Sequence, residues 1–132
     1  MLVKIRENIY IGDKDAFKSF DELKEKGITA IVIVADDLQP VEVEANSDIR
    51  VCKIGLRGDR INPPYIKDLA CHNPKYMVQN METVLIQSVT GLQRAAYVAC
   101  RVICEIENKT IYEIMAELTE LVEGFEINKS YF

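Results

Sequence analysis

The sequence has no long apolar run and no excess of basic residues, and each absence excludes a class of protein. No stretch approaches the roughly 20 apolar residues that a membrane-spanning helix needs. Sixteen Lys and Arg residues stand against twenty-one Asp and Glu residues, which gives a net charge of −5. Because nucleic acids and anionic membranes both require a basic binding surface, we expect a soluble protein that binds neither of them.

Residues that form disulfides or bind metals are also few. The chain has one histidine, His72, and four cysteines: Cys52, Cys71, Cys100 and Cys104. The cysteine spacing matches no secreted disulfide framework and no signal peptide is recognisable, so we expect a reducing, cytoplasmic setting. Cys100 and Cys104 share a helix face, but a zinc site needs four ligands and no second pair lies near in sequence. We therefore predict small buried thiols and no metal.

What the sequence does contain is typical of one ordinary globular domain. Hydrophobic residues make up 48% and charged residues 28% of the chain. Its 132 residues suit a single domain with its own core, so we expect residues 1–132 to form one unit. We find no internal repeat, low-complexity tract or linker.

Strand-like and helix-like segments alternate along the chain. The apolar patterns predict strands at residues 8–11, 28–35, 49–56 and 83–87, with an edge strand considered at 41–43. They predict helices at residues 14–26, 64–81 and 92–107 and a last helix that opens with a Thr110–Glu113 capping box; glycines 27 and 124 end the first and last of these. Asn73 and Pro74 should interrupt the second helix, because proline cannot continue the hydrogen-bond ladder. This alternation predicts an α/β sandwich with a mostly parallel sheet of about four or five strands flanked by helices.

The junction at residues 88–94 has the features of an anion-binding loop, and we call it the 88–94 loop. A buried strand runs through a tight turn directly into a long helix, which directs backbone N–H groups and a helix N-terminus toward one point. The loop consists of Ser88, Val89, Thr90, Gly91, Leu92, Gln93 and Arg94. Gly91 permits the turn, and the planar Arg94 fork can hold two phosphate oxygens. Two further loops, at residues 36–37 and 55–60, should lie at the same edge of the sheet.

These residues resemble the signature of the cysteine-dependent protein tyrosine and dual-specificity phosphatases, which reads His-Cys, two residues, Gly, two residues, Arg, then Ser or Thr. The resemblance extends over most of the chain, including residues 9–12 and 23–34. It implies the phosphatase α/β sandwich, a site that needs no metal or other cofactor, and a phosphorylated protein or other phosphate ester as ligand. It also places Asp59 at the general-acid position and Ser88 at the nucleophile position.

The departures from that signature fall on the covalent chemistry. Ser88 replaces the cysteine, Gln87 replaces the histidine that keeps the thiolate pKa low, and Ala95 replaces the hydroxyl that helps the thiolate leave. Gly91 and Arg94, which bind phosphate in the family, are retained. The resemblance therefore implies a pseudophosphatase, a phosphatase-like domain that binds a phosphorylated group and hydrolyses it poorly or not at all.

Two alternatives stay open at this point. In the first, the protein is an active phosphatase or one trapped by a Cys-to-Ser mutation; the additional changes at Gln87 and Ala95 favour a natural substitution. In the second, the protein has a structural or interaction role and the loop is vestigial. An apolar stripe on the last helix would then meet a partner or a second copy, and it comprises Ile111, Ile114, Met115, Leu118, Leu121 and Val122. We expect this stripe to be core instead, and a homodimer is left open.

Two other features of the sequence could bear on the site. Asp36 and Asp37 follow the strand at residues 28–35, and we interpret them as a polar turn, because two carboxylates beside a phosphate site would repel the ligand unless they were paired. Tyr131 and Phe132 could dock on the body of the protein, although a frayed tail is equally consistent with the sequence.

Overall fold

The computed structural model describes residues 1–40, 48–58, 61–125 and 127. The strands are β1 (Leu2–Arg6), β2 (Ile9–Gly12), β3 (Ala30–Ile33), β4 (Arg50–Lys53) and β5 (Val84–Gln87). The helices are α1 (Phe20–Glu25), α2 (Pro64–Gln79), α3 (Arg94–Glu107) and α4 (Ile111–Leu121). The edge strand considered at residues 41–43, the aspartate Asp59 and the tail residues Tyr131 and Phe132 lie outside the described residues.

The five strands form one sheet in the order β1-β2-β5-β3-β4, and only the β1–β2 pair is antiparallel. This confirms the predicted α/β architecture and its mostly parallel sheet. Successive residues of each central strand face opposite sides, as a pleated strand requires. On β5, Val84 and Ile86 pack under α2, α3 and α4, whereas Leu85 packs under α1. The sheet is therefore covered on both faces, which is why its central strands are uninterrupted apolar runs.

The strands agree with prediction at the centre of the sheet and differ at its two edges. β3 and β5 are fully buried, as the runs at residues 28–35 and 83–87 predicted. β1 was not predicted, because its sequence Leu-Val-Lys-Ile-Arg places charged side chains among apolar ones at an edge of the sheet. The strand predicted at 49–56 was wrong in two respects. β4 is limited to Arg50–Lys53, and it is a partly exposed edge strand, not a buried one.

The helices differ from prediction mainly in α1 and α2. α1 is only six residues long, but Gly27 has a φ of +76° and its N–H bonds the Lys24 carbonyl at 2.9 Å, while Ile28 N–H bonds the Leu23 carbonyl at 2.9 Å. These two bonds are the Schellman arrangement that a helix-ending glycine predicts. The predicted interruption of α2 was wrong: the helix continues through Pro74, which lies on the buried face with Ala70 and Cys71. Packing of this face offsets the lost hydrogen bond.

The two C-terminal helices follow the prediction closely. α3 begins at Arg94, directly after the 88–94 loop, and supplies much of the core. The Thr110–Glu113 capping box is present in both directions at the start of α4. Most of the apolar stripe on α4 packs into the core, with Ile114 and Leu118 fully buried, although Leu121 is 52% exposed. No helix in the described part of the chain is long and apolar enough to cross a membrane.

Candidate functional site: the 88–94 loop and its arginine

The parallel register brings the carboxyl ends of several strands together on one side of the sheet. Gln87, the last residue of β5, is paired with Gly12 of β2 and with Ile33 of β3, and Ile33 is paired in turn with Lys53 of β4. The segments that leave these strands therefore lie side by side. They include the three loops that the sequence analysis assigned to this edge, as far as they are described.

The turn of the 88–94 loop depends on a glycine at position 91. Gly91 has a φ of +74°, a backbone conformation that residues with a Cβ atom disfavour. A Cβ atom here would lie 2.8 Å from the Gly12 carbonyl carbon and 2.9 Å from the Asp13 backbone nitrogen. Gly91 is thus required both for its backbone conformation and for the close approach of the loop to the end of β2, as the sequence predicted in part.

Three hydrogen bonds attach the start of the loop to the segment after β2. The Ser88 N–H donates to the Gly12 carbonyl at 3.2 Å, and the Lys14 N–H donates to the Val89 carbonyl at 3.1 Å. The Gln87 side-chain amide donates to the Asp13 carbonyl at 2.9 Å. Gln87 is 3% exposed, so its amide is a buried brace between two loops. A neutral amide in this bond carries no positive charge toward Ser88.

Ser88 lies at the bottom of the loop, 1% exposed. Its Oγ accepts hydrogen bonds from the backbone N–H groups of Gly91 and Ala95, both at 3.2 Å. A hydroxyl oxygen has two lone pairs, so these donors occupy its full acceptor capacity. Within the described residues the Ser88 hydroxyl has no acceptor for its own proton, and hence no general base. His72, the single histidine, lies elsewhere, in a groove between α2 and α3.

Arg94, the first residue of α3, is 7% exposed and is held by one of its nitrogens. Its Nη1 donates to the Asp37 carboxylate at 2.8 Å, to the Leu56 carbonyl at 2.9 Å and, at 3.4 Å, to the Asp36 carboxylate. Its Nε and Nη2 have no acceptor among the residues that the structure describes. That edge carries the parallel N–H groups that fork onto a carboxylate or phosphate.

The loop at residues 55–58 also borders the guanidinium. A Cβ atom at Gly58 would lie 3.2 Å from the Arg94 Cζ and 3.3 Å from its Nη2. Any larger residue would therefore crowd the Nε–Nη2 edge. Neither Gly58 nor the Leu56 carbonyl was predicted as a site component, and only their position at a strand end pointed to them.

Asp36 and Asp37 lie in a turn after β3, as interpreted from the sequence, but the turn also lines the site. Both carboxylates are ion-paired with Arg94, at 3.4 and 2.8 Å. The hydrogen bond from Arg94 lowers the pKa of Asp37, so this side chain is charged at neutral pH. The pairing supplies the condition under which carboxylates can lie beside a phosphate site. The sequence showed two acids at the right strand end, but it did not show which cation they would meet.

Several backbone donors of the loop remain available to a ligand. The N–H groups of Val89, Thr90 and Gln93 have no acceptor within the described part of the chain, whereas the Leu92 N–H bonds the Thr90 hydroxyl at 3.2 Å. Such unpaired N–H groups before a helix N-terminus form a concave anion site. Together with the Arg94 Nε–Nη2 edge, they are the hydrogen-bond donors that a tetrahedral anion at this loop would contact.

Comparison with solved structures places this arrangement in a known fold. The superposition with human DUSP28 covers 98% of this chain and 86% of the DUSP28 chain, with a TM-score of 0.81 and 16% sequence identity. DUSP15 covers 98% and 81%, with a TM-score of 0.79 and 19% identity. The human tyrosine phosphatase-like serine/threonine/tyrosine-interacting protein covers 98% and 89%, with a TM-score of 0.77 and 16% identity.

The chain has the dual-specificity phosphatase fold. The fold that the 88–94 residues implied by resemblance is thereby confirmed. By sequence alone, the chain matches no protein-family model and no curated protein. At these identities the likeness is one of fold.

The part of the chain that the structure describes contains no cluster of metal-binding side chains. No group of three or more His, Cys, Asp or Glu residues within the described ranges could hold a metal ion. All four cysteines are free thiols, and burial raises the pKa of each of them, to about 12 for Cys71 and Cys100. Their thiolate fraction at neutral pH is therefore smaller than that of an ordinary cysteine. Asp59, expected at the general-acid position, lies outside the described residues.

Proposed function

We propose that this protein is a phosphatase-like member of the cysteine-dependent family, a single domain over residues 1–132, that binds a phosphorylated protein or other phosphate ester at the 88–94 loop. We further propose that it hydrolyses that ligand poorly or not at all. The observation that carries the proposal is the environment of Ser88. By the sequence resemblance Ser88 stands at the nucleophile position, and its oxygen has both lone pairs hydrogen-bonded and no base in contact within the described residues.

The chemistry of serine supports the loss of turnover. A nucleophile attacks phosphorus with a lone pair, and an alcohol must lose its proton to become a strong nucleophile. The N–H groups of Gly91 and Ala95 favour an anionic oxygen, but the pKa of a serine hydroxyl lies far above that of a thiol. Gln87 contributes no charge to the site. Ala95 has only its backbone N–H to offer Ser88, at the position where the family has the side-chain hydroxyl that helps the thiolate leave.

The retained groups support binding. Arg94 is buried and fixed by Nη1, and within the described residues its Nε–Nη2 edge and several loop N–H groups ahead of α3 have no acceptor. A fixed guanidinium loses little conformational entropy when it binds an anion. A structural relative is named as a tyrosine phosphatase-like interacting protein, so a phosphatase-like fold with an interaction role has a precedent.

Calorimetry with phenyl phosphate tests binding directly. We expect saturable binding by the natural protein and a loss of about ten- to a hundredfold in affinity on Arg94→Ala, since a hydrogen-bonded charge pair contributes about 1.5–3 kcal/mol. Arg50→Ala is the matched control, because Arg50 pairs with Glu82 at the opposite end of the sheet. Equal affinity in the natural and Arg94→Ala proteins would contradict the proposal.

A second candidate function is a phosphatase whose nucleophile was replaced by serine in an otherwise intact site. The observation that favours it is the pair of N–H groups on the Ser88 Oγ, which would stabilise a thiolate equally well. Turnover of p-nitrophenyl phosphate by Ser88→Cys, with none by the protein that carries Ser88, would support this candidate. Turnover by the Ser88 protein would overturn the proposed inactivity.

A structural role with a vestigial loop is the third candidate, and the contacts of α4 favour it least, since its apolar stripe is mostly core. Homodimer formation stays a prediction that a light-scattering mass would decide. The cytoplasmic setting and the absence of nucleic-acid, membrane, metal and cofactor binding also stay predictions, and they rest on charge, cysteine pattern and resemblance.

A further inference from the structure

Backbone groups of the Asp36–Asp37 turn form hydrogen bonds that fix the turn beside Arg94. The Asp36 N–H donates to the Leu56 carbonyl at 3.0 Å, and the same carbonyl accepts from Arg94 Nη1 at 2.9 Å. Lys53 Nζ donates to the Asp36 carbonyl at 3.0 Å. One carbonyl oxygen thus links the turn to the guanidinium, so the Asp37 carboxylate has a defined position beside Arg94.

Among the described residues, two carboxylates contact the Arg94 guanidinium. Among the described side chains that contact this turn, Arg94 and Lys53 are positive, and Asp36 and Asp37 are negative. Both carboxylates are about half exposed, at 47% and 58%, so water partly screens the charge of each. An anion on the Nε–Nη2 edge would therefore feel the attraction of Arg94 reduced by two nearby negative charges.

We propose that Asp37 is the residue that sets the charge selectivity of this site: it holds Arg94 by Nη1 and lowers the preference of the loop for doubly over singly charged anions. The inference rests on the proposed anion site and adds a preference among its ligands. Phosphate monoesters carry a charge of about −1.5 to −2 at neutral pH. Asp37 thus weakens the pull of the bare phosphate group, and contacts elsewhere on a phosphorylated ligand must supply more of its binding.

The holding role and the charge role of Asp37 can be separated with two substitutions. Asp37→Asn keeps an oxygen that can accept from Nη1 but removes the charge, whereas Asp37→Ala removes both. An anion bound to the guanidinium would lie roughly 6 Å from the Asp37 carboxylate. At that distance and an effective dielectric constant of about 40 to 80, one unit charge changes the affinity of a dianion relative to a monoanion by about three- to tenfold.

Tungstate and perrhenate are suitable probes because they share a tetrahedral shape and differ by one charge. Both dissociation constants are measured by calorimetry at fixed ionic strength for the natural protein, Asp37→Asn, Asp37→Ala and Glu25→Gln. Glu25 is exposed at the end of α1, toward the opposite edge of the sheet, and its substitution removes the same charge. We expect the tungstate preference over perrhenate to rise about three- to tenfold in both Asp37 variants and not in Glu25→Gln.

The absolute affinities complete the test. Asp37→Ala should also bind both anions more weakly than Asp37→Asn does, because Nη1 loses a partner. A tungstate-to-perrhenate ratio that stays the same in Asp37→Asn, with both anions still bound, would overturn the selectivity inference and leave the proposed anion site standing. No binding of either anion by any of the proteins would overturn the proposed site, and the inference with it.

Discussion

The environment of Ser88 predicts that a cysteine placed there would have an unusually low pKa. In Ser88→Cys the thiol would take the place of an oxygen that accepts N–H bonds from Gly91 and Ala95 at 3.2 Å. Each such bond is about 1 kcal/mol stronger to an anion than to a neutral group, and about 1.4 kcal/mol corresponds to one pH unit. The N-terminus of α3 adds about 0.3–1 kcal/mol in favour of the thiolate.

Burial opposes these effects, because Ser88 is 1% exposed and desolvation disfavours the charged form. Together the contributions predict a pKa of about 6.5 to 7.5 for the introduced thiol, below the ordinary value of about 8.5. The assay is the pH dependence of alkylation by iodoacetamide, followed by mass spectrometry of the peptide that carries the substitution.

The native cysteines provide an internal control for this assay. Burial raises the pKa of all four, to about 12 for Cys71 and Cys100, so they should stay unmodified at pH 6.5 while the introduced thiol reacts. A pKa of 8.5 or above for the introduced thiol would contradict this prediction. It would mean that the two N–H groups and the helix N-terminus do not stabilise an anion at this point.

Three further predictions concern stability. Gly91→Ala should lower the free energy of unfolding, measured by urea denaturation, by about 2–4 kcal/mol. Gly27→Ala should lower it by only about 1 kcal/mol, because φ is also positive there but nothing lies within 4 Å of the added Cβ. Equal losses in the two variants would contradict the steric explanation. Thr110→Ala should lower the free energy of unfolding by about 1 kcal/mol through loss of the capping box, and an unchanged urea midpoint would contradict this. Arg6 bonds Glu107 at 2.7 Å and lowers its pKa below the usual 4.5, so this stabilisation is present above pH 4.5 and lost as the pH falls through the lower folded value. The stability difference between the natural protein and Arg6→Gln should therefore shrink below pH 4.5, and a constant difference would count against the ion pair.

Much of the fold could be predicted because its signals are local and strong. The uninterrupted apolar runs that became β3 and β5, the glycine that ends α1 and the capping box of α4 each depend on residues close in sequence. β1 and Pro74 were misjudged for the opposite reason. β1 exists because β2 pairs with it, and α2 continues through Pro74 because its buried face packs against the core.

The candidate site also has parts that local sequence predicted and parts that depend on residues distant in sequence. Strand, turn and helix around the 88–94 loop lie within a short stretch of sequence, so the anion loop and the need for Gly91 could be inferred. The partners of Arg94 come from residues 36–37 and 56, far from it in sequence, and only the folded chain shows that they converge. Sequence therefore indicated which groups would meet a phosphate, but not how charge is balanced around them.

We infer that this protein binds a phosphate ester and hydrolyses it poorly or not at all. Phosphorus NMR of phenyl phosphate with stoichiometric natural protein measures both properties in one experiment. We predict a shifted or broadened ester resonance that reverts in Arg94→Ala, with no growth of the inorganic phosphate signal over hours. An unperturbed ester resonance, or inorganic phosphate that accumulates beyond one equivalent of protein, would contradict the claim.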